Sequence, residues 1–176
     1  MRSSVCFSRA PIPGARCRSF RAGVRSASLS TPESDRYGYD ANYLRGRIIG
    51  ALGGMAAEQE VFNVVTTGAE NDLEMVTRIA RSMVGRWGMS ERIGTLSVLP
   101  AEGDPRMAGV SDALLDAIDE EVRRITEECY AEARRLLREH RDKLDAIVGR
   151  LLEYENLDEP EIYAAANLPR RAAPTP

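Results

Sequence analysis

The apolar run that begins after Ser111 constrains this chain more than any other stretch. Leu115, Ile118, Val122, Ile125 and Cys129 follow at steps of three and four, and the pattern continues to Leu136. That spacing places them on one stripe of a long amphipathic helix, with Ser111 as its N-terminal cap. The opposite face is dense in Glu and Arg, which reads as a solvated surface laced with i,i+4 pairs. A helix of this length with one wet face must lay its other face on further helices. The neighbouring sequence supplies one: Leu144, Ile147, Val148, Leu151 and Leu152 repeat the pattern until Asn156-Leu157-Asp158 breaks it. Asp158-Glu159-Pro160-Glu161 then combines a cap, a proline near the helix start and a capping-box acid, so a short last helix should run to about Ala166. The fold class that follows is all-α, a helical bundle. At 176 residues the chain holds one modest core.

Upstream, helical patterning starts near Asp40, with Leu44, Ile48, Leu52 and Ala56 on one stripe. Gly50, Gly53 and Gly54 interrupt it, each at a cost of about 1 kcal/mol against alanine, which points to close contact with another helix. They are not a phosphate-binding loop, because no strand precedes them and neither GxGxxG nor GK[ST] is present. Val61 to Val65 is a short β-branched connection. It leads into Thr66-Thr67-Gly68-Ala69-Glu70-Asn71-Asp72-Leu73-Glu74, where Thr67 and Glu70 fit a capping box. Leu73, Val76, Ala80, Met83, Val84 and Trp87 then recur at helical spacing to about Arg86, and Gly88 ends the helix. Asp72 falls in the first turn, where the helix dipole favours a carboxylate. On spacing alone it reads as an ordinary solvated acid. Residues 94–110, with three glycines and two prolines, read as an exposed loop.

Charge is unevenly spread. Residues 1–30 carry six arginines and no acid, so the formal net charge of −3 leaves −9 for the remainder. The first segment is irregular and resembles an organelle transit peptide in composition. Residues 31–39 read as a surface loop. The acidic remainder repels phosphates, which argues against nucleic acid as a partner. No apolar run is long enough to span a bilayer. Cys6, Cys17 and Cys129 do not make a disulfide framework, and Cys129 sits on the apolar helix face as a small hydrophobe. His140, the one histidine, falls where the long helix gives way to the next and reads as a C-terminal cap or a partly exposed surface residue. A zinc enzyme needs at least three protein ligands, and this sequence cannot supply the usual pair of histidines.

Four blocks carry a resemblance that covers about Ser30 to Ala166. They are Pro32-Glu33-Ser34-Asp35-Arg36-Tyr37, Ala51-Leu52-Gly53-Gly54-Met55-Ala56-Ala57-Glu58, Val65 through Leu73, and Arg86-Trp87-Gly88-Met89-Ser90. Glu120 to Ile125 and Arg141 to Leu144 add weaker support. The chain resembles the C-terminal peptidase domain of FtsH-type ATP-dependent zinc metalloproteases. The resemblance implies a helical peptidase whose zinc is held by two histidines of an HExxH helix and by an aspartate of the Thr-Gly-Ala-x-Asn-Asp segment. By that resemblance Asp72 is the third zinc ligand, the fourth position is left to water, and the HExxH glutamate is the general base. It also implies ATP as the fuel of a separate ATPase module, protein substrates, other subunits of a homo- or hetero-hexameric ring, and attachment to a bacterial plasma membrane or an organelle membrane. The sequence departs from the family in having no HExxH, no Walker motifs and no membrane anchor. It also has Met55 for an arginine, Gln59 for a second glutamate and Asn63 for a glycine. As written it should be a soluble fragment without peptidase activity. The competing reading is a non-catalytic subunit that docks into a protease ring.

The genetic code offers an account of residues 1–30. Arg18 to Ser28 can be encoded so that a two-base shift reads IIPRGRSLGV, which resembles the family segment expected just before the Pro32–Tyr37 block. The expectation is a one-base frame change near Ser28–Thr31, with the HExxH helix encoded upstream of Met1; an organelle-targeting segment is the alternative. The organisation expected is therefore an irregular segment 1–30, an incomplete peptidase-type domain 31–166, and a disordered tail 167–176.

Overall fold

The computed structural model describes residues 38–100 and 103–169, together with the backbone of 16–19 and 27–30. The Pro32–Tyr37 block, Cys6, the side chain of Cys17, most of the arginine-rich segment and the tail beyond residue 169 lie outside the described residues. Five helices form the bulk of what is described. The first, α1 (Ala41–Phe62), starts where Asp40 Oδ1 accepts the Tyr43 N–H at 2.8 Å. It passes through Gly50, Gly53 and Gly54 without a break. The reason is tertiary: Leu44, Ile48 and Leu52 enter one buried cluster, while Ala56 and Ala57 enter a second. Burial along both ends outweighs the roughly 1 kcal/mol propensity cost of each glycine.

α1 ends on Asn63, whose backbone is left-handed (φ 51°, ψ 38°) and whose N–H reaches the Gln59 carbonyl at 3.1 Å. Asparagine tolerates this conformation better than other side-chain-bearing residues, so the departure from glycine is accommodated. The two departures also meet: Gln59 Nε2 donates to Asn63 Oδ1 at 2.6 Å. A 3₁₀ turn, Thr67–Ala69, leads into α2 (Glu70–Gly85), which buries Val76, Ala80, Met83 and Val84. Leu73 and Trp87 share the helical spacing but remain 42% and 48% exposed, outside the core.

Residues 94–100 form a loop exposed over most of its length, as composition predicts, but two of its residues are anchored. The N–H groups of Val98 and Leu99 donate to the Gly85 carbonyl at 2.7 and 2.9 Å, and both side chains pack on the first cluster. Gly85 makes this possible, since a Cβ there would lie 2.5 Å from Leu99 Cγ and Cδ1. After a 3₁₀ turn at Pro105–Ala108, Ser111 Oγ caps α3 (Asp112–Glu139). As the periodicity predicts, Ile118, Val122, Ile125, Cys129 and Leu136 are buried. Their stripe spans both clusters, so α3 and α1 together join the two halves of the core.

His140 joins α3 to α4 (Arg141–Tyr154); its N–H closes the last turn of α3 on Leu136. Glu155 turns left-handed (φ 61°) to end α4, and β3 (Asn156–Leu157) follows. Within the arginine-rich segment, β1 (Arg16–Ser19) and β2 (Ala27–Ser30) pair antiparallel, and β3 pairs antiparallel with β1, giving the order β2-β1-β3. The capping box expected for the last helix is present: Asp158 Oδ1 accepts the Glu161 N–H and Glu161 Oε2 accepts the Asp158 N–H at the start of α5 (Glu159–Ala165).

Two carboxylates tie this packing together. Glu60, at the end of α1, accepts from Arg134 at 2.5 Å and from Arg138 at 2.8 and 2.9 Å. These guanidinium groups, Arg138 first, hold its pKa down at about 2. Glu121, 2% exposed, accepts from the Ser90 hydroxyl at 2.9 Å and from Arg124 at 2.6 and 2.8 Å, so its charge is compensated where it is buried. That contact latches the Arg86–Ser90 block onto the Glu120–Ile125 block.

Candidate metal centre

The turn that carries Asp72 is built from α1 outward. Glu58, in the last turns of α1, accepts the Thr66 hydroxyl at 2.9 Å and the Thr66 N–H at 3.3 Å. With its proton directed at Glu58, the Thr66 oxygen is free to accept the Gly68 N–H at 3.3 Å. Thr66 therefore caps the 3₁₀ turn, and α2 itself has no side-chain cap. The Thr67–Glu70 capping box does not form. The backbone satisfies the Glu70 N–H instead, through the Thr67 carbonyl.

Asp72 follows in the first turn of α2. Steps of four and then three lead from it through Val76 and Ala80 to Met83, so it shares the buried face of the helix. It is half-buried at the open end of that stripe, and burial pushes its carboxyl pKa above the ordinary aspartate value. Among the described residues it makes no hydrogen bond and no ion pair. A carboxylate that has lost water and gained no donor is destabilised in its charged form, and a cation relieves that most effectively.

The other candidates do not converge on it. His140 lies at the α3–α4 junction, and Cys129 is buried within the first cluster, where desolvation raises its thiol pKa away from the thiolate that binds metal. No group of three His, Cys, Asp or Glu side chains among the described residues is placed to hold a metal ion. The residues present thus do not fit a complete zinc site, which needs three protein ligands in its catalytic form. They offer one carboxylate. Glu58 is the residue that sequence reasoning quoted without a role. Its partner lies eight positions away across a turn, and no periodicity reports such a contact.

Comparison with known proteins matches the sequence model of Peptidase family M41 to residues 20–165. The ATP-dependent zinc metalloprotease FtsH 3 of Conexibacter woesei is 49% identical over 162 residues, which cover 88% of this chain and 22% of the relative. ATP-dependent zinc metalloproteases FtsH from Thermobaculum terrenum (49% over 156 residues) and Bacillus subtilis (41% over 143 residues) align with 84% and 77% of the chain. The chain spans less than a quarter of the length of these relatives, 22–24% in the three cases. A family match that takes in most of the helical bundle, together with this identity, decides the assignment: the chain belongs to peptidase family M41.

Proposed function

We propose that this chain contributes Asp72 as one zinc ligand to an ATP-dependent zinc metalloendopeptidase, and that the remaining ligands, the general base and the ATPase come from sequence it does not contain. The observation that carries the reading is Asp72 itself: a first-turn carboxylate on the buried face of α2, desolvated and without a donor, in a member of a metallopeptidase family. Glu58 and Thr66 are then positioning residues. They fix the turn from which Asp72 projects. Protein substrates, neighbouring ring subunits and membrane attachment belong to the whole protein in this reading. Among the described residues no helix is long and apolar enough to cross a membrane.

Metal analysis tests the proposal. The purified chain should retain no stoichiometric zinc after desalting and should not cleave unfolded protein. Sequencing the encoding DNA and reading upstream in the shifted frame should reveal HExxH, and the chain extended by that segment should hold one zinc per domain. Asp72→Ala in the extended chain should release it. Zinc retained at full stoichiometry in Asp72→Ala would remove Asp72 from the site, and an upstream frame without HExxH would remove the frame-change account.

A further inference from the structure

The face of α2 that points away from Asp72 borders an open groove of about 970 Å³. Its apolar lining comes from Leu73, Leu99 and Pro100, with Arg78 and Arg86 on the side toward the end of α2 and Glu70 and Glu74 near its start. Two features mark it as more than a dip in the surface. First, its far wall is preformed. Leu99 is held by its backbone on the Gly85 carbonyl, at a contact that only glycine permits at position 85. A wall set in place before a ligand arrives lowers the ordering cost of binding. Second, two of its three arginines are unpaired among the described residues. Most described arginines pair with a carboxylate, as Arg81 does with Asp119 beside the groove, whereas among the described residues Arg78 and Arg86 pair with none.

We infer that this groove docks an extended segment of a partner protein in which an apolar side chain is followed, on one side, by carboxylates. The apolar residue would cover Leu73, Leu99 and Pro100, and the carboxylates would take Arg78 and Arg86. Glu70 and Glu74 repel acid at the start of α2, so they set the direction in which the segment lies. They also argue against a nucleic acid, whose charge is uniform along the strand. The inference does not rest on Asp72, which faces the other way.

Isothermal titration calorimetry on the whole chain reads binding at the groove directly. Two synthetic peptides serve as probes, one with leucine followed by Asp and Glu, the other with leucine followed by lysines. The acidic peptide should show saturable binding, weaker at high salt. Arg78→Glu with Arg86→Glu should weaken it at least tenfold and admit the basic peptide, while Arg78→Gln with Arg86→Gln should weaken it without the reversal; circular dichroism confirms that each variant folds. Asp72→Asn should leave binding unchanged. The inference is overturned if neither peptide saturates, if both bind alike, or if a single-stranded oligonucleotide displaces the acidic peptide preferentially. It is equally overturned if the arginine variants alter sedimentation of the chain rather than peptide binding, since a second copy would then be the occupant.

Discussion

Glu58 accepts both the hydroxyl and the backbone N–H of Thr66, and through this contact the end of α1 dictates where the Asp72 turn begins. Removing the acceptor leaves two donors in a partly buried place without a partner. Glu58→Ala should therefore destabilise the chain by about 1–2 kcal/mol in urea titrations. The loss should be local: amide exchange at 66–72 should accelerate far more than exchange in α3. Thr66→Val, which also removes the acceptor for Gly68, should reproduce it. Unchanged exchange in either variant would show that the turn holds itself.

Asp72 should carry a stability penalty in this chain. Burial raises its folded-state pKa, so folding favours the protonated form. The penalty is absent below the unfolded aspartate value and grows as pH rises through the raised folded pKa. Asp72→Asn should then be neutral near pH 3 and stabilising near pH 7, by less than about 1 kcal/mol given the partial exposure of the site. Denaturation at the two pH values checks it, and destabilisation at pH 7 would mean that Asp72 has a partner.

Glu60 has the opposite sign. Arg138 and Arg134 hold its carboxyl at about 2, below the ordinary glutamate value of 4.5. Its contribution is full above the unfolded value and is lost as pH falls from about 4.5 toward about 2. Glu60→Gln should cost about 1–2 kcal/mol at neutral pH, after allowance for the exposure of both arginines, and should flatten the acid limb of the stability curve in that window. The native chain should lose part of the difference in high salt.

Gly85→Ala separates helix propensity from packing by sign. Propensity alone would stabilise the chain by about 1 kcal/mol. The new methyl would instead meet Leu99 at 2.5 Å, next to a backbone already held by the Gly85 carbonyl, so a net loss of about 1–2 kcal/mol is expected. Adding Leu99→Ala should restore most of it, and a thermal melt of the three variants gives the answer.

Much of the fold is legible because helices announce themselves locally. The apolar steps from Leu115 to Leu136, the Ser111 cap and the Asp158–Glu161 capping box depend on residues within a turn or two of each other, and each is found where its spacing puts it. Other signals were incomplete. The glycines and prolines of residues 94–110 mark an exposed loop, as most of it is, but do not reveal that Val98 and Leu99 fold back onto Gly85, because propensity counts the cost of a residue and not what arrives to pack against it. Trp87 fits the helical stripe by spacing, yet the helix ends at Gly85 and the following turn carries the ring outward.

Asp72 shows the division most clearly. From sequence come its place in the first turn of a helix and, through resemblance, the proposal that it is a zinc ligand. That Asp72 shares the buried face of α2, how far it is withdrawn from water, and that Thr66 rather than Thr67 caps the turn were decided by tertiary structure. Desolvation and long-range hydrogen bonds depend on α1 and Glu58 arriving from elsewhere in the chain, and local sequence does not encode what arrives.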